Sequence, residues 1–348
     1  LLLTVLFTIN FVVVGQHPNF PGLNPIPGSN RVWDGTLKFN NFGPTVPYIG
    51  DPHEGRSANV TWDDDYEDYH YIPEGGNTYN GEFVNFRMLP PNNYDPNRIE
   101  PYPVIVMLHG AGEIGRVWSG RINYTPDDVQ YDNNGRNLIH GGNEIWNAIV
   151  KGSHPQRRSA SWTSEYSFEG FAIFPQSHYN AAWQGAPNTW ITQMIEDLFN
   201  AYNIDPDRVY VHGLSNGADG TWDIVQQRPD LFAAFAPMSG AGPLYDPANI
   251  AQIPLMLVNG ANDNNPNPQY VLQSIATLES YGADFIDLTM YQNQIVEDPY
   301  FPEQEKFKNR HIFVPNDGHG IWPETYDRRD FFSWKKKKSK KDIFVAGS

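Results

Sequence analysis

Hydrophobic and polar positions recur with two different periods along this chain, and the switches between them mark its elements. Residues 82–89 (EFVNFRML) alternate with period two, as a strand with one covered face does. The turn cluster PPNNYDP at 90–96 closes that strand. Residues 102–108 (YPVIVML) form an unbroken apolar run, the pattern of a parallel strand covered on both faces. Similar runs follow at 171–175, 209–212, 231–238 and 254–258. Between them, stretches at 143–150, 190–202 and 268–281 place apolar residues three and four apart, which predicts helices. A strand at 285–291, a polar insertion at 292–310, a strand at 311–314 and a helix at 323–334 complete the series. Strand and helix alternate with no internal repeat. The predicted fold class is α/β, a mostly parallel central sheet with helices on both faces.

The flanks read differently. Residues 1–14 (LLLTVLFTINFVVV) are apolar and uncharged, and too short for a confident membrane span. They match the apolar core of a secretory signal peptide without its basic start. Residues 1–16 are therefore expected to be a truncated signal peptide. The chain is then secreted, extracellular or periplasmic, with no membrane anchor in its mature form. Residues 17–80 form a Pro/Asn-rich N-terminal extension, with short strands expected around 31–39. Its acidic patch, DDDYED at 63–68, lacks the spaced ligands and glycine of a calcium loop and reads as a solvated loop. Residues 81–334 are the expected catalytic domain. Residues 335–348 are a Lys-rich C-terminal tail, whose KKKKSKK run reads as a solvated helix end.

Charge and composition narrow the function. The chain has 24 basic against 40 acidic residues and a net charge of −16, which argues against a nucleic-acid partner. With no cysteine there is no disulfide, thiolate metal site or cysteine nucleophile. Aromatic residues reach 14%, with 10 tryptophans. Either some face solvent, suiting a surface that meets sugars or aromatic polymers, or the core is rich in them.

The candidate chemistry centres on Gly213-Leu214-Ser215-Asn216-Gly217. This G-x-S-x-G follows a predicted strand and opens a helical stretch, the setting of a nucleophile elbow. Side chains at the two glycines would collide with the neighbouring strand and helix. Alone, the pattern occurs by chance about one time in ten in such a chain, so the partners decide. A serine hydroxyl needs a base within reach, and the base needs a carboxylate to hold its tautomer. Asp263 and then His319 follow Ser215, each just past an apolar strand, in the order that an elbow serine requires. Asp219 on the elbow helix would point wrongly, and Asp317 reads as a turn residue. His109 and His212 end buried strands and read as structural. Backbone N–H groups of Asn216 and Ala111, the latter in His109-Gly110-Ala111-Gly112, are the expected oxyanion donors. This chemistry needs no cofactor and no metal.

At these motifs the chain resembles the secreted esterase and peptidase branch of the α/β-hydrolases, related to polyhydroxybutyrate depolymerases and feruloyl or acetylxylan esterases. HGAGE at 109–113, FPQ at 174–176, DPDRVYVHGLSNG at 205–217 and FAAFAPMSG at 232–240 carry the resemblance. So do GAND at 260–263 and GHGIW at 318–322. It implies the α/β-hydrolase fold, Ser215, Asp263 and His319 as nucleophile, acid and base, and Trp183 lining the substrate cleft. Asn216 stands where that branch often has Met, and Asn259 where it commonly has His. The expected activity is that of a secreted serine carboxylesterase on polysaccharide-linked acyl or feruloyl esters or on polyesters. Its partner is then an ester substrate, small or polymeric. A serine peptidase and a non-catalytic carbohydrate-binding protein are the alternatives.

Overall fold

The computed structural model describes residues 23–25, 67–71, 84–92, 94–114, 137–138, 140–152, 166–177, 183, 185–289, 308–328 and 330–345. The apolar runs become strands β1 (Leu23–Pro25), β2 (Glu67–Tyr71), β3 (Val84–Leu89), β4 (Tyr102–Leu108) and β5 (Phe171–Gln176). They continue as β6 (Ile204–Leu214), β7 (Ala234–Met238), β8 (Met256–Gly260), β9 (Phe285–Thr289) and β10 (Asn309–Val314). The ten pair into one sheet in the order β1-β2-β3-β5-β4-β6-β7-β8-β10-β9. From β5 to β9 every pairing is parallel. The β1–β2, β2–β3 and β3–β5 pairings are antiparallel.

The helices are α1 (Gly142–Trp146), α2 (Ala186–Ala201), α3 (Asn216–Gln227), α4 (Pro247–Ile250), α5 (Pro268–Ser280), α6 (Trp322–Tyr326), α7 (Asp330–Lys336) and α8 (Lys340–Val345). Why the run at 102–108 is continuously apolar is now explicit. All seven residues of β4 are buried, and alternate residues feed opposite faces. Val104, Val106 and Leu108 pack with Ile191, Met194, Ile195 and Leu198 of α2 and with Trp222 and Val225 of α3. Ile105 and Met107 pack with Ile145 near α1 and with Phe331 and Phe332 of α7. Each such side chain, fully buried, contributes about 1.5–3 kcal/mol of transfer free energy. The sheet is therefore held from both sides, as the parallel pattern requires.

Three sequence expectations change. The helix expected at 323–334 is two helices, with a break between Tyr326 and Asp330. In one continuous helix Tyr326 and Phe331 would point about 140° apart, yet both are fully buried in the same cluster. The break also seats Asp330 between the guanidinium groups of Arg310 and Arg328. Part of the acidic patch expected as a loop is strand β2, paired with β3 from Glu67 opposite Met88 to Tyr71 opposite Val84. The lysine run is folded and its first residue is interior, while Lys337 and Lys341 are exposed as a solvated helix end requires. Lys335 is fully buried, Lys340 Nζ donates to Asp230 O at 3.0 Å, and the Lys338 carbonyl accepts from Tyr210 Oη at 2.8 Å. The readings of residues 1–14 and 31–39 lie outside the described residues, as does most of the 292–310 insertion. Among the described residues no helix is long and apolar enough to cross a membrane.

Candidate active site

Strand β6 runs to Leu214 and α3 begins at Asn216, leaving Ser215 alone to make the turn. Its backbone is at φ 54°, ψ −122°, a strained conformation for a residue with a Cβ. The glycines on either side are sterically required. A Cβ on Gly213 would stand 2.1 Å from Gly217 O, and one on Gly217 would stand 2.0 Å from Leu108 O. That closeness lets α3 start directly against the end of β4.

The strand ends then bring three distant side chains together. His319 Nε2 lies 2.7 Å from Ser215 Oγ, and His319 Nδ1 lies 2.9 Å from Asp263 Oδ2. An ionised carboxylate only accepts, so Nδ1 carries the proton and Nε2 accepts from the serine hydroxyl. The Asp263 side chain is 1% exposed and the His319 side chain 37%, so the acid is sealed while the base meets solvent. Asp263 Oδ1 accepts from Asn265 N–H at 2.8 Å, which leaves Oδ2 for the imidazole. The loops carrying Asp263 and His319 are tied together by Asn262 N–H to Asp317 O at 2.8 Å, and Asp317 N–H closes a turn on Val314 O at 3.4 Å. Trp322 sets its ring perpendicular to the His319 imidazole, with centroids 5.7 Å apart.

Asn216 is the first residue of α3, so its N–H has no acceptor within the helix. Ala111 opens a short 3-10 turn, Ala111–Glu113, directly after β4. Gly110 is pressed against the elbow, since a Cβ there would lie 2.7 Å from Leu214 Cδ1. The two expected oxyanion donors thus open neighbouring turns at the ends of adjacent strands β4 and β6. Among the described residues no group of three or more His, Cys, Asp or Glu is placed to hold a metal ion.

In sequence the chain is 36% identical over 123 residues to a bifunctional acetylxylan esterase/xylanase of Neocallimastix patriciarum, a match covering 33% of this chain and 18% of that one. It is 33% identical over 105 residues to acetylxylan esterase A of Emericella nidulans, covering 26% of this chain and 34% of the relative. The matches thus span about a third or less of those relatives' lengths. No family model matches the chain. A solved thermostable esterase superposes with a TM-score of 0.55 at 23% identity, covering 79% of this chain and 64% of the other. The chain has the α/β-hydrolase fold.

Within this hydrolase fold, several residues not singled out by sequence surround the site. Ser239, just past β7 at φ 53°, donates its hydroxyl to His319 O at 2.6 Å. Gln176, at the end of β5, places its amide nitrogen 2.8 Å from His109 Nε2 and 2.8 Å from Glu113 O. His109 is fully buried and structural, as expected. Its Nε2 accepts from Ser177 N–H at 2.9 Å, so Nδ1 bears the proton and donates to Gly110 O at 2.8 Å. His212 is buried as well, with Nε2 3.1 Å from Tyr326 Oη. Asn259 is buried on β8, and its side-chain amide has no hydrogen-bond partner among the described residues.

Trp183 is a correction. It does not line an open cleft, because it is 1% exposed. Its indole N–H donates to His109 O at 2.8 Å, and its Cβ lies where Gly220 lacks one. Trp183 therefore braces the turn that carries Ala111 from below. The carboxylate at His319 Nδ1 is that of Asp263, while Asp219 is engaged by the loop after β7. Asp219 accepts from Gly242 N–H at 3.1 Å.

Proposed function

We propose that this chain is a serine carboxylesterase that removes acyl groups, acetyl or feruloyl, from a polysaccharide. The observation that carries the reading is the single line of contacts Ser215–His319–Asp263 at 2.7 and 2.9 Å, at the C-terminal ends of parallel strands. Ser215 Oγ attacks the ester carbonyl carbon while its proton passes to His319 Nε2. Asp263 holds the ring and stabilises the imidazolium that forms. The oxyanion sits between the N–H groups of Asn216 and Ala111, donors worth about 2.7–4 kcal/mol each in other hydrolases. Collapse expels the sugar alkoxide, which takes the proton from Nε2. Water then releases the acid by the same steps in reverse order.

The acetylxylan esterases matched in sequence support an acylated polysaccharide as substrate. The apolar run at 1–14 supports action outside the cell. A panel of p-nitrophenyl esters beside peptide anilides and acetylated xylo-oligosaccharides tests the reading. Ester turnover is expected, and Ser215→Ala is expected to lower it by roughly six orders of magnitude. Amide cleavage without ester turnover would sink the esterase in favour of a peptidase. Preference for a polyester film over the sugar esters would move the substrate.

A further inference from the structure

A cavity of about 480 Å³ opens beside the elbow, walled by Asp219 of α3, Gly242 and Leu244 after β7, and Tyr270, Gln273 and Thr277 of α5. Its position follows from the triad. Asp219 is one turn along α3 from Ser215, with its N–H donating to Ser215 O at 3.2 Å, so the two Cα atoms are about 6 Å apart. The segment forming the second wall begins at Ser239, the residue that holds His319. The third wall is one face of the helix that follows the Asp263 loop. Tyr270, Gln273 and Thr277 lie at spacings of three and four on it.

The chemistry of the walls is specific. Tyr270 is 62% exposed, whereas Val271, Ile275 and Leu278 of the same helix are buried, so its ring serves no core. An exposed aromatic face packs against the C–H face of a sugar ring. The Gln273 amide offers donors and an acceptor, while the Thr277 hydroxyl, which donates to Gln273 O at 2.8 Å, and the Asp219 carboxyl accept. Burial raises the Asp219 pKa, while N–H donors from Gly242 and Ala241 and the nearby His319 oppose the rise. Such a carboxyl, already engaged by the backbone, suits a neutral hydroxylated ligand better than a cation and repels an anion.

We infer that this cavity is the subsite for the sugar on the alcohol side of the ester, with Tyr270 under the ring and Asp219 and Gln273 taking its hydroxyls. The inference rests on the esterase reading above. Ser215 and Asp219 lie one helical turn apart, a separation about that of one pyranose ring, so a sugar alcohol whose ester carbonyl carbon sits at Ser215 Oγ is within reach of the cavity.

Two measurements separate the subsite from the activity. Calorimetric titration with xylotriose, which has no ester, is expected to show binding to the parent protein and about tenfold weaker binding to Tyr270→Ala. In kinetics, the ratio of kcat/KM for acetylated xylotriose to that for p-nitrophenyl acetate is expected to fall about tenfold in Tyr270→Ala, through KM. Gln273→Ala is expected to shift both readouts in the same direction and serves if Tyr270→Ala does not fold. Absence of xylotriose binding to the parent, or equal binding to parent and variants, overturns the subsite. Absence of any ester turnover by the parent overturns the esterase reading, and the titration still judges the cavity.

Discussion

Ser215 and Ser239 are two non-glycine residues at positive φ among the described residues, and they flank the same base. One presents its hydroxyl to His319 Nε2 and the other grips the backbone carbonyl of His319. Strain of about 1–3 kcal/mol per residue persists only where surrounding contacts enforce it. Ser239→Ala is expected to reduce kcat about fivefold, the worth of one neutral hydrogen bond, with KM nearly unchanged. Steady-state kinetics on p-nitrophenyl acetate check this, and an unaltered kcat would mean that other contacts hold the loop. Gly217→Ala drives a Cβ to within 2.0 Å of Leu108 O. It is expected to cost at least about 2 kcal/mol in urea unfolding. The convergence of Ser215, Asp263 and His319 is legible in the sequence because an elbow has a local signature and its partners follow in a set order. Ser239 and Gln176 are not. Their roles depend on which strand ends become neighbours, and no local pattern encodes that.

Among the elements, α7 departs most from its sequence pattern. Lys335 looks like the first of a solvated run but is fully buried, with Nζ over the Phe331 ring and 3.3 Å from Phe331 O. Burial pushes its pKa well below the usual range, with the Asp330 carboxylate opposing. Asp330 already has Arg310 and Arg328 as partners, so it does not depend on this lysine. Lys335→Met is expected to stabilise the protein by about 1–4 kcal/mol at pH 7 in chemical denaturation. A lysine whose folded pKa is depressed has no penalty above its unfolded pKa, about 10.4. The penalty grows as pH falls below that value, so the advantage of the variant should shrink as pH rises toward 10. The strands at 102–108 and 171–175 were readable because an unbroken apolar run has one solution in a doubly covered sheet. The split between α6 and α7 was not, because it answers to the faces Tyr326 and Phe331 must share.

For the whole molecule, the stability profile on the acid side carries a marker. His212 is fully buried on β6, and desolvation first, then the Lys335 charge, lowers its pKa well below the ordinary value. The unfolded chain takes up this proton near pH 6.5 while the folded chain excludes it. The contribution of His212 is therefore present above pH 6.5 and is lost as pH falls, by up to about 1.4 kcal/mol per pH unit. Urea unfolding at pH 7.5 and 5.5 should show a smaller drop in His212→Gln than in the parent. An equal drop would assign the acid sensitivity to other groups. Read alone, the chain settles the parallel sheet, the elbow, and the order of serine, acid and base, because each is written in short-range periodicity and spacing. Only the packed molecule decides that Trp183 is buried against the turn after β4 instead of lying open, that Lys335 is interior, and that Asp219 and Tyr270 share a cavity. Burial of a side chain is set by the element that comes to cover it, and that element lies elsewhere in the chain.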